Sequence, residues 1–179
     1  MMVFVIGGSA SGKSAYAEQL AVSLAQRTQQ KKYYLATMKI GDEESRQRAA
    51  HHRELRSGKG FITIEQPVAI HRSLETMVCG EKLALLECLS NLVANEMFSE
   101  ENPKTEKQVV QEILASISLL NQGLTHLVIV GNLVFADGIL YPEPTRSYLR
   151  AMGRINQEIA AMADKAAEVV AGIPITVKP

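Results

Sequence analysis

Short, uninterrupted apolar runs alternate with longer stretches of helical periodicity along nearly the whole chain. Val3-Phe4-Val5-Ile6, Leu83-Ala84-Leu85-Leu86 and Leu127-Val128-Ile129-Val130 carry no polar residue, which is the pattern of strands buried on both faces. Between them, Ala17, Leu20, Ala21 and Leu24, and later Val109, Ile113, Ile117 and Leu120, recur at the spacing of one helix face. The full reading is strand 2–6, helix 13–26, strand 32–37, helix 42–56, strand 61–64, helix 67–78, strand 82–86 and helix 88–98. A polar break over Ser99 to Lys104 leads to helix 105–121, strand 127–130 and a long helix over about 145–164. Residues 168–178 are expected to form a terminal hairpin turning near Gly172-Ile173-Pro174. This order predicts an α/β fold: a mostly parallel sheet with helices on both faces and a C-terminal hairpin. No linker or repeat divides it, so residues 1–179 are expected to be one domain. Ligands of such sheets bind beyond the carboxyl ends of the strands. Thr37, Glu87, Asn132 and the glycine-rich segment after Ile6 all fall there, and they are expected to converge.

That segment reads Gly7-Gly8-Ser9-Ala10-Ser11-Gly12-Lys13-Ser14, a full match to the phosphate-binding pattern G-x-x-x-x-G-K-[ST]. Its glycines allow a turn tight enough for successive backbone N–H groups to surround a phosphate chain. Lys13 can reach the outer phosphates and the Ser14 hydroxyl can ligate Mg²⁺. A strand before it and a helix after it aim the positive end of the helix at the anion. The chain is therefore expected to be a P-loop NTPase-like protein that binds a nucleoside triphosphate, GTP or ATP.

Composition narrows the remaining classes. The chain is 46% apolar and 21% charged, as in soluble globular proteins. Lys+Arg and Asp+Glu balance at 19 each, so no overall field favours nucleic acid or an acidic membrane. No apolar stretch is long enough to span a bilayer. The first strand begins almost at Met1 without a charged leader, and there are only two cysteines. A reduced, cytoplasmic protein is expected, with Cys79 and Cys88 as small buried thiols.

Two further features bear on chemistry. Glu87 closes an apolar strand, where an acid can hold Mg²⁺ or its water shell; a solvated residue opening the next helix is the plainer alternative. Residues 45–56, Ser-Arg-Gln-Arg-Ala-Ala-His-His-Arg-Glu-Leu-Arg, make a helix with almost no core stripe. Arg48, His52 and Arg56 stand four apart and share a face, whereas His51 shares its face with Gln47 and Leu55. A histidine between two guanidinium groups is placed to attack a phosphate: the arginines bind the anion and favour the neutral, nucleophilic imidazole. A solvated basic helix fits the same residues. His71 and His126 lack such company and read as structural or surface residues.

Together these elements resemble the bifunctional adenosylcobinamide kinase / adenosylcobinamide-phosphate guanylyltransferase family. The resemblance covers nearly the whole chain. It is carried by residues 7–14, Ala36-Thr37, Arg48-x-x-x-His52-Arg53, Leu85-Leu86-Glu87-Cys88 and Gly153-Arg154-Ile155-Asn156-Gln157. It implies that His52 becomes guanylylated, and that Ala36, Thr37, Met38, Arg53, Glu54, Leu55, Arg56, Glu65 and Glu87 contact the nucleotide beside the P-loop. It also implies a homotrimer with sites near subunit boundaries. Two segments depart from the family pattern. Ala10 stands where an Arg is usual, and Asn132-Leu133-Val134-Phe135 replaces Asn-Glu-Val-Gly, with Asp137-Gly138 following.

The implied activity has two steps. A nucleoside triphosphate phosphorylates adenosylcobinamide; GMP then passes from GTP through His52 to the cobinamide phosphate, giving adenosylcobinamide-GDP. Two other readings remain open on the residues alone. One is a P-loop kinase of another small alcohol, without guanylyl transfer. The other is a homologue that binds GTP without turning it over.

Overall fold

The computed structural model describes residues 1–28, 30–41, 43, 46–47, 50, 53–54, 56–99, 103–134 and 141–179. Seven strands form a single sheet: β1 (Met2–Gly7), β2 (Lys31–Ala36), β3 (Phe61–Glu65), β4 (Lys82–Glu87), β5 (His126–Val130), β6 (Lys165–Val170) and β7 (Ile173–Lys178). Their spatial order is β3-β2-β4-β5-β1-β6-β7. The first six run parallel, and β7 turns back antiparallel on β6. The described helices are α1 (Lys13–Thr28), α2 (Ser73–Thr76), α3 (Leu89–Met97), α4 (Glu106–Gly123) and α5 (Glu143–Met162).

Because successive strand residues face opposite sides, each apolar strand feeds two cores. Met2 and Phe4 of β1 pack with α3, α4 and α5, whereas Val3 and Val5 pack with α1. The α1 contact is made by Ala17, Ala21 and Ala25, all at most 2% exposed, with Leu20 and Leu24 flanking them. Small side chains let this helix lie close to the strand that delivers the phosphate loop. On the other face Val109, Ile113, Ile117 and Leu120 of α4 are buried as the periodicity predicts. Thr105 caps that helix in a reciprocal box with Gln108, so the helix starts one residue later than expected.

Three expectations need correction. Residues 67–78 are not one helix but a 3₁₀ turn, Ile70–Arg72, followed by the single turn of α2. Ala69 takes a left-handed backbone, φ 47°. Its N–H is held by Glu96 Oε1 at 2.7 Å, and the Pro67 carbonyl accepts from Asn95 Nδ2 at 2.9 Å. Side chains of α3 thus satisfy the Pro67 carbonyl, which a helix would have paired internally, and hold Ala69 in its non-helical backbone. The hairpin begins earlier than residue 168: β6 starts at Lys165, pairs parallel with β1, and turns at Ala171-Gly172. Finally, Cys79 is exposed and Cys88 half-buried. The expected helix over 42–56 is helical at Glu43, Arg46, Gln47, Ala50, Arg53 and Glu54; Arg48, His51 and His52 lie outside the described residues, as do Phe135, Asp137 and Gly138.

Candidate active site

The phosphate loop leaves β1 at Gly7 and enters α1 at Lys13. Gly7 is obligatory here, since a Cβ would stand 2.5 Å from Ser11 Oγ and 2.7 Å from the Val169 carbonyl. Gly12 has φ 88° and lies against Gly172 of the β6–β7 turn, whose N–H donates to the Ser11 carbonyl at 2.8 Å. The hairpin therefore braces the loop from behind. Ser9 and Ala10 are exposed, and Gly8 is half-buried with open space where a side chain would begin. Lys13 is only 8% exposed and donates from Nζ to the Gly8 carbonyl at 2.9 Å, so its ammonium is folded over the loop.

At the carboxyl end of β4, Glu87 Oε1 accepts a hydrogen bond from Ser14 Oγ. Its other oxygen, Oε2, is buried with no hydrogen-bond partner among the described residues. A hydroxyl and a carboxylate with an uncommitted oxygen form a hard-oxygen donor pair that fits Mg²⁺, which takes few protein ligands and completes its shell with phosphate and water. No group of three or more His, Cys, Asp or Glu suited to a metal occurs among the described residues. Thr37, fully buried, ties β2 to β4: its hydroxyl donates to the Cys88 carbonyl and accepts from the Cys88 N–H, both at 2.8 Å. Ser90, in the first turn of α3, donates to Asn132 Oδ1 at 3.1 Å. The expected convergence of P-loop, Thr37, Glu87 and Asn132 is thus present.

Beside this centre runs a cleft lined by Tyr34, Ala36, Met38, Arg53, Arg56, Glu65, Glu87 and Cys88. Ala36 pairs with both Glu65 and Glu87 across neighbouring strands, which gathers these residues at one end of the sheet. Arg56 is 6% exposed, and its guanidinium carbon lies 3.4 Å from the centroid of the Tyr34 ring. Its Nη1 is buried, with no acceptor among the described residues. Burial pushes the Tyr34 phenol far above its usual pKa; the Glu87 charge adds to the shift and Arg56 opposes it. Arg53 forms an ion pair with Glu65, but both are about half exposed, so the pair orients rather than stabilises. Glu54 is exposed, and Leu55 lies outside the described residues.

A family model described as cobinamide kinase / cobinamide phosphate guanyltransferase matches residues 3–177. The chain belongs to that family. Among curated relatives, the bifunctional adenosylcobalamin biosynthesis protein CobU of Escherichia coli K12 is 29% identical over 99% of this chain and 100% of its own length. CobU of Salmonella typhimurium is 31% identical over the same shares. CobP of Pseudomonas aeruginosa is 27% identical over 99% of this chain and 98% of its own length. The fold alone is shared with two solved structures. One, an ATPase domain, has a TM-score of 0.50 at 12% identity, over 93% of this chain and 68% of that one. The other, a KaiC-like protein from Pyrococcus horikoshii OT3, has a TM-score of 0.51 at 15% identity, over 93% and 69%.

Several partners in the site carry no local sequence signal. Tyr34 reads as one more buried strand residue until Arg56 stacks on it. Asn95 holds the Thr37 carbonyl at 2.7 Å from the last turn of α3. Lys59 pairs with the buried Glu18 of α1, pinning the turn after Arg56 to the phosphate-loop helix. No described helix is long and apolar enough to cross a membrane.

Proposed function

We propose that this chain is a bifunctional enzyme of cobalamin biosynthesis that phosphorylates adenosylcobinamide and then transfers GMP to the product. The observation that carries this reading is the bond from Ser14 of the phosphate loop to Glu87 at the end of β4, with Lys13 folded over the same loop, in a chain matched by the family model over residues 3–177.

In the first step the cobinamide hydroxyl oxygen attacks the γ-phosphorus of ATP or GTP. The bond to the nucleoside diphosphate breaks and the hydroxyl proton leaves. Lys13 and the loop N–H groups hold the phosphate oxygens, and the N-terminus of α1 adds a favourable field. Ser14 and Glu87 would hold Mg²⁺, which when bound would supply charge neutralisation on the phosphates. In the second step His52 attacks the α-phosphorus of GTP and releases pyrophosphate. An oxygen of the cobinamide phosphate then displaces the imidazole, freeing His52 and forming adenosylcobinamide-GDP. Gly7, Gly8, Ser9, Ala10, Ser11, Gly12, Ala36, Thr37, Met38, Arg53, Glu54, Leu55, Arg56 and Glu65 complete the nucleotide site. Residues 1–179 act as one catalytic domain, in the cytoplasm and as a homotrimer; nucleic acid is not a partner.

Incubation with α-labelled GTP and Mg²⁺ tests the reading. Acid-labile, base-stable label on the wild type, lost in His52→Asn and kept in His51→Asn, is the expected result. Label retained by His52→Asn and lost by His51→Asn moves the nucleophile to the neighbouring histidine. Absence of label from the wild type, with cobinamide still phosphorylated, leaves a kinase without guanylyl transfer.

A further inference from the structure

We infer that Asn132 is a catalytic residue of the phosphorylation step, donating its side-chain amide to the transferring γ-phosphoryl group, and that Ser90 is the positioning residue that fixes that amide. The inference rests on the kinase reading above and adds a donor from the strand lying between β4 and β1.

The sheet order sets β5 between the strand that ends in Glu87 and the strand that ends in Gly7. Beyond β5 the chain stays on β1: Gly131 N–H donates to the Val5 carbonyl at 2.8 Å, and Leu133 N–H to the Gly7 carbonyl at 3.1 Å. Asn132 is therefore stapled on both sides beside the first glycine of the phosphate loop. A Cβ on Gly131 would stand 2.7 Å from the Phe4 ring, so that ring packs directly on this backbone. The Asn132 carbonyl also accepts from Asn156 Nδ2 of α5 at 3.2 Å. This backbone is fixed from three directions.

The side chain is fixed as well. Cys88 Sγ lies 3.0 Å from Ser90 Oγ, and Ser90 Oγ lies 3.1 Å from Asn132 Oδ1. Because Asn132 Oδ1 can only accept, the Cys88 S–H is the donor to Ser90 Oγ. Ser90 then has its single proton for Asn132 Oδ1. Tyr148 anchors the same turn by donating to the Ser90 carbonyl at 3.3 Å. With its oxygen held by Ser90, the Asn132 amide turns its two N–H donors the other way. A neutral, preset donor at the edge of a phosphate loop is suited to oxygens whose charge shifts as phosphoryl transfer proceeds, because no reorganisation is needed at that moment.

The test uses the full chain with Mg²⁺, nucleoside triphosphate and adenosylcobinamide, and scores adduct formation from α-labelled GTP separately. Asn132→Ala is expected to lower kcat for phosphorylation by about a hundredfold. The nucleotide KM and the rate of adduct formation should each stay within about threefold, because the γ-phosphorus is not the reacting centre of guanylylation. Asn132→Asp keeps the shape but loses the donors, and should lose at least as much. Ser90→Ala should cost kcat about tenfold, and Ser90→Thr, which restores a hydroxyl, should recover most of it. Should Asn132→Ala fail to fold, the Asp variant and the Ser90 pair give the same readout. Near-normal kcat in the Asn132 variants overturns the inference. So does a parallel fall in both reactions, which would make Asn132 a support of the loop. A wild type that leaves cobinamide unphosphorylated overturns the kinase reading itself, and the inference with it.

Discussion

Ser14 Oγ donates to Glu87 Oε1 across 73 residues of sequence, joining the first turn of α1 to the end of β4. The bond preorganises two oxygen donors at the phosphate loop, and the buried Glu87 Oε2 is left open for a further partner. Replacing Glu87 by Gln keeps the shape and a hydrogen-bonding oxygen while removing the negative charge. Phosphoryl transfer is expected to fall by about a hundredfold or more, and the Mg²⁺ concentration for half-maximal rate to rise. A Mg²⁺ titration of Glu87→Gln and Ser14→Ala checks this; an unchanged midpoint in both would remove the pair from metal binding.

Lys13 brings the positive charge of the P-loop and holds it folded over the loop. Lys13→Ala is expected to reduce both reactions, because each needs the triphosphate held and neutralised. The loss should be about a hundredfold or more in rate. Steady-state assays of the two steps decide it, and near-normal turnover in either would exclude Lys13 from that step.

The two thiols should differ in reactivity. Cys79 is exposed, whereas Cys88 is half-buried between β4 and α3 and burial raises its thiol pKa. Only the thiolate attacks an alkylating reagent. Iodoacetamide at about pH 8, near the ordinary thiol pKa, is expected to modify Cys79 first and leave Cys88 largely intact in the folded protein. Peptide mass spectrometry over time measures the order; equal rates would show that the β4–α3 junction opens readily.

His126 supplies a pH dependence of stability. Burial lowers its pKa and the Met1 ammonium lowers it further, while Glu81 opposes the shift. Since the folded state binds the proton less readily than the unfolded chain, this contribution is complete above the unfolded value. It is lost as pH falls below about 6.5 toward the depressed folded value. His126→Gln is expected to flatten the fall in urea midpoint over that window. Parallel pH profiles for the variant and wild type would assign the fall to other groups.

The legible part of the fold was what repeats locally. The buried strands and the α4 stripe follow from apolar runs and 3.6-residue spacing, and the P-loop from its glycines. Residues 67–78 were illegible as a turn because the side chains that hold them out of a helix, Glu96 and Asn95, lie on another element. The site divides in the same way. Glu87 could be placed at a strand end, but its bond to Ser14 depends on sheet order. Nothing near Tyr34 marks it as the partner of Arg56, because the stacking is decided by the turn that Lys59 pins to Glu18.

Arg56 carries the sharpest separation between folding and binding. Its guanidinium is buried on Tyr34, and Nη1 has no acceptor among the described residues. Stacking on the ring recovers part of the desolvation cost of such a cation, but an open buried donor does not help the free protein. Its benefit is expected when a phosphate or ribose oxygen supplies the missing acceptor. Arg56→Met keeps an apolar stem over Tyr34 and removes the charge. The unliganded melting temperature should stay level or rise, while nucleotide affinity falls by about ten- to a hundredfold, the worth of one charge-assisted hydrogen bond. The extra stability conferred by a fixed nucleotide concentration should shrink accordingly. Arg56→Lys should fall between, because a compact ammonium cannot lie flat on the ring and reach an anion at once. Thermal unfolding with and without Mg²⁺–GTP and Mg²⁺–ATP resolves the two effects. A lower melting temperature for Arg56→Met with an unchanged nucleotide shift would make Arg56 a structural pin on β2 rather than a ligand contact.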